Sequence, residues 1–502
     1  MDSESKKFVT LFWVTLVVIT GLRLLYVSGL SLVPQEAYYW NYSRHLAWSY
    51  FDHPPATAYL IYMFTKLGGN SEFVIHLVAV VMSVLVSIIC FLLAKRMYSA
   101  KIAFYLTLLL HCILIYSLGA VVVTPDVPFI LFWVLSIFFL YNAVTTNRSF
   151  YWYLWGVAFG FAFLSKYTAV FIPASTFLYL LLSKRDRNWL TKPQVYLAML
   201  VAALCASPVF IWNYNHGWAS FLFQTGRRAG EMLSFRPDFF FGYLGTQLGV
   251  IGPLLCPFIV YAVAKSGIVG IKRSETRLLF LFSMSAPILV LFTITALRTW
   301  VKMNWPTAGY ITGILAMLFF YFDKDNLKPP KVVRRWRNFG RAALAFTALV
   351  TLLLHLDALL PFLAFSTSAD TVTGYRQLGK VVGSIAEDMP AGERLVYVGY
   401  EYKTASEMAF YLPGKPETVS NNVVGKLGLQ YDYWCDPDTL IGRDAIFVYD
   451  QRNEYKEFDR FKLLFDNVVA ESPLKIYRMD KLVTTFYIYR CYHYKGLDAI
   501  NE

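Results

Sequence analysis

"FVTLFWVTLVVITGLRLLYVSGL" (Phe8–Leu30) leads almost directly into "PQEAYYWNYSRHLAWSYFDHPP" (Pro34–Pro55). The first stretch is apolar and long enough to cross about 30 Å of hydrocarbon, which takes roughly 20 residues. No small-residue cleavage site follows it, so it reads as a retained membrane anchor rather than a removed signal peptide. The second stretch sets Glu36, Arg44, His45, Asp52 and His53 among aromatic residues. An ionisable loop immediately after a membrane helix reads as a site at the membrane surface.

Working outward, apolar runs recur over most of the 502 residues. The chain is 57% hydrophobic, 18% aromatic and only 16% charged, the composition of a polytopic α-helical membrane protein. About eleven spans are expected: Phe8–Leu30, Phe73–Ala94, Ile102–Val121, Val127–Val144, Tyr151–Leu164, Tyr167–Leu182, Val195–Trp212, Phe240–Ala264, Leu278–Thr295, Thr307–Tyr321 and Ala342–Phe365. A net charge of +13 raises the question of nucleic acid, but its distribution argues against that partner. The basic residues form short clusters between apolar runs: Lys95, Arg96 and Lys101; Arg148; Lys184, Arg185 and Arg187; Lys265, Lys272 and Arg273; and the group from Lys324 to Arg337. If the spans alternate, all of these fall on one side, expected to be cytoplasmic. Arg148 and the Lys184 cluster share that side only if the stretch between them crosses twice, with its tip near Ser165-Lys166-Tyr167.

The opposite face then collects Pro34–Pro55, "TPD" (Thr124–Asp126), "SKY" (Ser165–Tyr167), "WNYNHGW" (Trp212–Trp218) with Arg227 and Arg228, and "RTWVKMNWP" (Arg298–Pro306). After about residue 365 the pattern changes. "RLVYVGY" (Arg394–Tyr400) and "AIFVYD" (Ala445–Asp450) read as buried strands, and "ASEMAFYL" (Ala405–Leu412) as a helix ended by Pro413-Gly414. Residues 1–365 are expected to form the membrane domain. Residues 366–502 are expected to form a small α/β domain on the same outer side as the site loops. The six cysteines show no metal-binding spacing; Cys435 and Cys491 could pair if that region lies outside.

Each ionisable residue has a chemical and a structural reading. Glu36 suits proton acceptance, metal binding or orientation of a basic residue, but also a helix start favoured by the macrodipole. Asp52 and His53, stiffened by Pro54-Pro55, are presented at a fixed angle or cap the following helix. Asp126 opens a membrane helix, where a carboxylate needs a partner or a capping role. Lys166, Arg227, Arg228, Arg298 and Lys302 suit a phosphate, Arg as a bidentate donor and Lys as a point charge, against the alternative of anionic lipid headgroups. Tyr39, Arg44, His53, Tyr167, Asn213, His216 and Asn304 lie in the same segments and are expected to contact substrate. No phosphate-cradling glycine loop or nucleophile elbow is present, so the chemistry is expected to draw on a substrate already in the membrane.

"EAYYWNYSRHLAWSYFDHPP", "TPDVP", "LSKYTA", "PVFIWNYNHGW", "NWP" and "ASEMAFYLPGKP" together resemble the GT-C polyprenyl-phosphate-sugar glycosyltransferases, in their bacterial protein-mannosyltransferase-like and lipid A aminoarabinose transferase-like branches. The resemblance spans nearly the whole chain. It implies a polyprenyl-phosphate-sugar donor, transfer on the periplasmic face, and an acceptor that is lipid A, another glycan or protein. It implies catalytic carboxylates among Glu36, Asp52 and Asp126, and donor-phosphate contacts from the five cations. No cofactor follows with certainty, and a divalent cation stays open. The family's first outer loop usually carries Asp-Glu; this chain has Gln35-Glu36. An anionic phosphate acceptor needs little help from a base, whereas a hydroxyl gains about a hundredfold or more from one. The rival reading is a lipid or polysaccharide transporter; inverted repeats would favour it, and none is evident.

Overall fold

The computed structural model describes residues 2–229, 235–322, 330–360, 370–389, 394–453 and 458–500. The chain divides into two compact units, each discontinuous in sequence. The expected boundary at residue 365 lies outside the described residues.

The first unit comprises Met1–Ser28, His53–Thr57 and His76–His355 and is helical. Six described helices are long and apolar enough to span a bilayer: Ser3–Val27, Glu72–Met97, Asp126–Thr146, Pro193–Asn215, Thr276–Thr295 and Arg334–Leu359. A seventh span is possible from Pro237–Ile251 and Cys256–Arg273, which meet at 100°. The remaining expected spans fall on shorter apolar helices, Ala100–Cys112, Phe150–Ser165, Tyr167–Leu182 and Thr307–Phe322, so eleven full-length spans are not found among the described residues. The bend corrects the expectation of one straight helix over Phe240–Ala264. Its cause is local: Gly252 has φ +107°, open to glycine, and Pro253 disfavours helical geometry in the residue before it.

Lipid offers no hydrophobic reward for helix association, so close backbone approach and buried hydroxyl pairs hold such helices together. Gly156 and Gly160 lie four residues apart on Phe150–Ser165 and pack against Pro193–Asn215. A Cβ at Gly156 would sit 2.3 Å from the Ala198 carbonyl oxygen, and one at Gly160 2.4 Å from the Cys205 Cβ. Between Thr276–Thr295 and Thr307–Phe322, the Ser285 and Thr312 hydroxyls hydrogen-bond at 2.7 Å.

The second unit comprises Gly29–Asp52, Ala58–Ile75 and Leu356–Glu502. Its sheet has six strands: β1 (Val396–Gly399), β2 (Thr418–Val419), β3 (Ala445–Asp450), β4 (Phe465–Ala470), β5 (Leu474–Arg478) and β6 (Lys481–Tyr494), in the order β2-β1-β3-β6-β4, with β5 also on β6. β1 pairs parallel with β2 and β3, and the other pairings are antiparallel. The two-residue side-chain period of β3 sends Ile446 and Val448 into a core with Tyr375, Leu378 and Phe486, and Ala445 and Phe447 into another with Val398 and Phe461. The expected strands and the helix, found as Glu401–Tyr411, are thus present. Cys435 and Cys491 are free thiols.

The first half of the Pro34–Pro55 loop is a helix, Pro34–Arg44, with Pro34 in its first turn, where the missing N–H goes unused. It packs on Glu401–Tyr411. Arg44 reaches Glu417, Asn41 donates to the Tyr431 hydroxyl at 3.1 Å, and Arg376 donates to Glu72 at 2.8 Å. Within this packing Glu407 is fully buried, and neither carboxyl oxygen has a hydrogen-bond partner among the described residues. Burial, then the charges of Glu36 and Glu72, raise its pKa well above the ordinary 4.5, with Arg452 opposing.

Two consequences are measurable by thermal unfolding of the purified protein. Gly160→Leu overpacks the helix contact and lowers the melting temperature, a destabilisation of about 1–3 kcal/mol; Gly249→Ala, where a Cβ meets nothing within 4 Å, does not. For Glu407 the folded state retains a proton that the unfolded chain releases above its ordinary value. Its contribution is therefore complete at low pH and declines as pH rises towards the raised value. Glu407→Gln, neutral at every pH, should gain stability over the parent progressively as pH rises above about 5. A constant difference would contradict the buried neutral carboxyl.

Candidate functional site

In the first unit, three sequence segments named for their chemistry come together. Helix Phe150–Ser165 ends in an extended residue, Lys166, whose backbone N–H still donates to Ala162. Its ammonium is 2.6 Å from Asp126 Oδ1, the first residue of Asp126–Thr146. The other oxygen, Asp126 Oδ2, accepts from Asn304 Nδ2 at 2.6 Å. Of the two readings for Asp126, the structure shows the pairing: it makes no side-chain cap, and Pro125 holds the cap position. Lys166 is 8% exposed and also lies 5.9 Å from the Phe129 ring centroid. With one N–H spent on Asp126, it keeps donors for a ligand.

The loop carrying Asn304 is anchored from both sides. Buried Gln247 donates to the Met303 carbonyl at 3.2 Å, and the Arg236 N–H donates to the Leu297 carbonyl at 2.8 Å. Arg298 and Lys302 are exposed on this loop. Tyr167 follows Lys166 and packs its ring between Phe163 and Phe221. Asn213 is fully buried, donates to the Val209 carbonyl at 2.9 Å and accepts from the Ser220 N–H at 3.1 Å, so both ends of its amide serve the backbone. His216 stacks on Trp212 with ring centroids 4.0 Å apart. Arg227 and Arg228 fall in helix Ala219–Ala229, with side chains outside the described residues. His53 belongs to this unit and is half-buried.

Glu36, Tyr39, Arg44 and Asp52 belong to the second unit. Glu36 is fully buried at the third position of its helix and accepts from the Val33 N–H at 3.1 Å, half of a capping box. Asp52 is 8% exposed, and its Oδ1 accepts from both Tyr38, at 3.1 Å, and Tyr42. Burial, reinforced by the Asp52 charge, raises both phenol pKa values well above 10. Tyr39 packs its ring against Tyr38 and Tyr42. The Gln430 amide oxygen accepts from the Phe51 N–H at 2.7 Å, tying Gln430–Trp434 to the segment that carries Asp52. The sequence reading did not single out Tyr38, Tyr42 or Glu407; the lone acid in "ASEMAFYL" was the available signal. Among the described residues, no three His, Cys, Asp or Glu side chains group as a metal site.

Comparison with known proteins places this geometry. Residues 52–212 match the dolichyl-phosphate-mannose-protein mannosyltransferase family, a stretch that includes Asp126 and Lys166. The lipid A galacturonosyltransferase RgtD of Rhizobium johnstonii is 29% identical over 334 residues, 65% of this chain and 67% of that protein. An uncharacterized protein of Aquifex aeolicus is 30% identical over 164 residues, 32% of each chain. In fold, the chain resembles ArnT from Cupriavidus metallidurans, solved with undecaprenyl phosphate, with a TM-score of 0.64 at 15% identity over 96% of this chain and 98% of that one. It also resembles the archaeal oligosaccharyltransferase AglB of Archaeoglobus fulgidus, with a TM-score of 0.52 at 12% identity over 92% of this chain and 73% of that one. The sequence matches and the whole-chain fold agree with the motif reading and support a glycosyltransferase rather than a transporter: the chain is a multi-pass membrane protein with a GT-C fold and a C-terminal sheet domain.

Proposed function

We propose that the protein transfers a sugar from a polyprenyl-phosphate donor to lipid A or a related glycolipid, at the periplasmic face of a bacterial inner membrane. The observation that carries this is the buried Lys166, held by Asp126 where two apolar helices end and begin. In an in-line displacement, the bond between the anomeric carbon and the phosphate oxygen breaks as the acceptor oxygen attacks from the opposite side. The bonding pair stays with the lipid phosphate, and the lysine ammonium meets that growing charge. Asp126 has both oxygens committed, to Lys166 and Asn304, which suits a residue that orients the cation rather than one that takes a proton. Arg298 and Lys302 add positive charge on the loop that carries Asn304. A phosphate acceptor is already anionic and has no proton to give up, whereas a hydroxyl acceptor passes its proton to a base as it attacks.

The lipid A acceptor is favoured by the RgtD relative, which matches over more of this chain than the mannosyltransferase family does. Protein is the second reading, from that family's description.

With purified protein and a polyprenyl-phosphate sugar, Lys166→Ala should lower transfer by about a hundredfold or more, the usual loss for one electrostatic donor. Asp126→Asn should lower it with the fold intact. Near-parental rates in both would remove the cluster from the reaction. Mass spectrometry of lipid A and envelope protein, from cells with and without the gene, identifies the acceptor. A mass lost from protein alone transfers the assignment to the second reading.

A further inference from the structure

The helix that begins at Asp126 has a second polar neighbourhood near its far end. Tyr141 lies roughly 22 Å further along, at 1.5 Å per residue. There it lines a cavity of about 280 Å³ with Thr145, Tyr179, Arg185, Glu275, Thr276 and Arg277. These residues come from four places in the chain: the ends of Asp126–Thr146 and Phe171–Leu182, the segment after the latter, and the start of Thr276–Thr295. All belong to the first unit.

The cations are held in fixed positions. Asp186, buried, accepts from Arg185 Nε at 2.9 Å and Nη2 at 3.0 Å, and is itself held by the Ser183 hydroxyl at 2.9 Å and by Tyr179. Arg277 donates from Nε to Glu275 at 3.2 Å and from Nη1 to the Met97 carbonyl at 3.3 Å, and lies 5.5 Å from the Tyr98 ring centroid. A guanidinium has five N–H donors, so each keeps some in hand. Both are half-exposed, so the cavity is reached from water. The Tyr141 hydroxyl makes no hydrogen bond among the described residues and feels Arg277, Arg96, Arg185 and Glu275 electrostatically. Three arginines against Glu275 and Asp186 leave the neighbourhood net positive.

A structural reading is available: paired loop residues at the basic end of a membrane bundle. It accounts for the Arg185–Asp186 pair. It leaves unexplained why two guanidiniums, an uncommitted phenol and two threonines face one cavity rather than bulk water. The volume is at the small end for ligand sites, about 300 Å³ upward, and fits a headgroup rather than a whole lipid or an oligosaccharide. Planar forks beside hydroxyl donors match the oxygens of a phosphate.

We infer that this cavity is a second site, distinct from the Asp126–Lys166 cluster and at the opposite end of its helix, that binds a phosphate group of an anionic lipid. The ligand would enter from the leaflet on the side where the basic clusters gather.

The test uses full-length protein in detergent and three probes: a short-chain phosphatidic acid, the diacylglycerol with the same chains, and inorganic phosphate. Phosphatidic acid should raise the melting temperature by a few degrees at saturation, and diacylglycerol should not. Arg277→Gln should weaken that binding about tenfold, the loss of one charge-assisted contact. Tyr141→Phe keeps the ring packing, serves if the arginine variant does not fold, and should also weaken it. If inorganic phosphate alone binds and is weakened by the same variants, the site stands with a free phosphate as its ligand. No shift with either phosphate probe, or equal affinity in parent and variants, overturns the inference.

Discussion

A lysine buried among apolar helices sets the terms for the rest of the first unit. An ammonium taken out of water alone costs several kcal/mol, and the usual remedy is a carboxylate in contact with hydrogen bonds to spare. Lys166 obtains Asp126, and Asp126 in turn needs a second donor, which Asn304 supplies. Each requirement passes down the chain. Asp126 must open its helix directly after Thr124-Pro125, and Asn304 must be delivered by a loop held at Gln247 and Arg236. The cluster is therefore as much a statement about where helices start and stop as about chemistry.

The two units meet the problem of burial by different means. In the first, glycines and buried hydroxyls let backbones approach, because lipid gives no return on apolar contact alone. In the second, a sheet with alternating side chains divides two apolar cores, as in a water-soluble protein. Its polar network includes Glu36, Asp52, Glu417 and Glu72, all bonded, beside the buried Glu407, which has no hydrogen-bond partner among the described residues.

Much of this was legible beforehand, for identifiable reasons. Apolar length and basic clusters follow directly from hydrocarbon thickness and orientation, so the helices lie close to where they were expected. "TPD", "SKY" and "NWP" stood out because a charged or amide residue beside a span is expensive, and these three segments do supply Asp126, Lys166 and Asn304. Other features were hidden by their nature. The 100° break at Gly252-Pro253 sits inside an unbroken apolar run, where hydropathy is blind to backbone direction. Asn213 was expected to contact substrate because it lies in one of the polar outer segments, whereas its hydrogen bonds serve its own turn. Glu407 was invisible since a single acid in a short amphipathic helix normally faces water; only tertiary packing buries it.

The second unit is assembled from Gly29–Asp52, Ala58–Ile75 and Leu356–Glu502, so about 280 residues separate its early pieces from its last. On a ribosome adding about 5–20 residues per second, that gap is roughly 15–55 s of synthesis. Throughout it Tyr38, Trp40 and Tyr42, all fully buried in the finished fold, have no sheet to rest on. Biogenesis thus includes an obligatory interval in which an aromatic, half-folded segment waits for the far end of its own chain. Any premature stop within the C-terminal third would strand that segment as well as remove a domain.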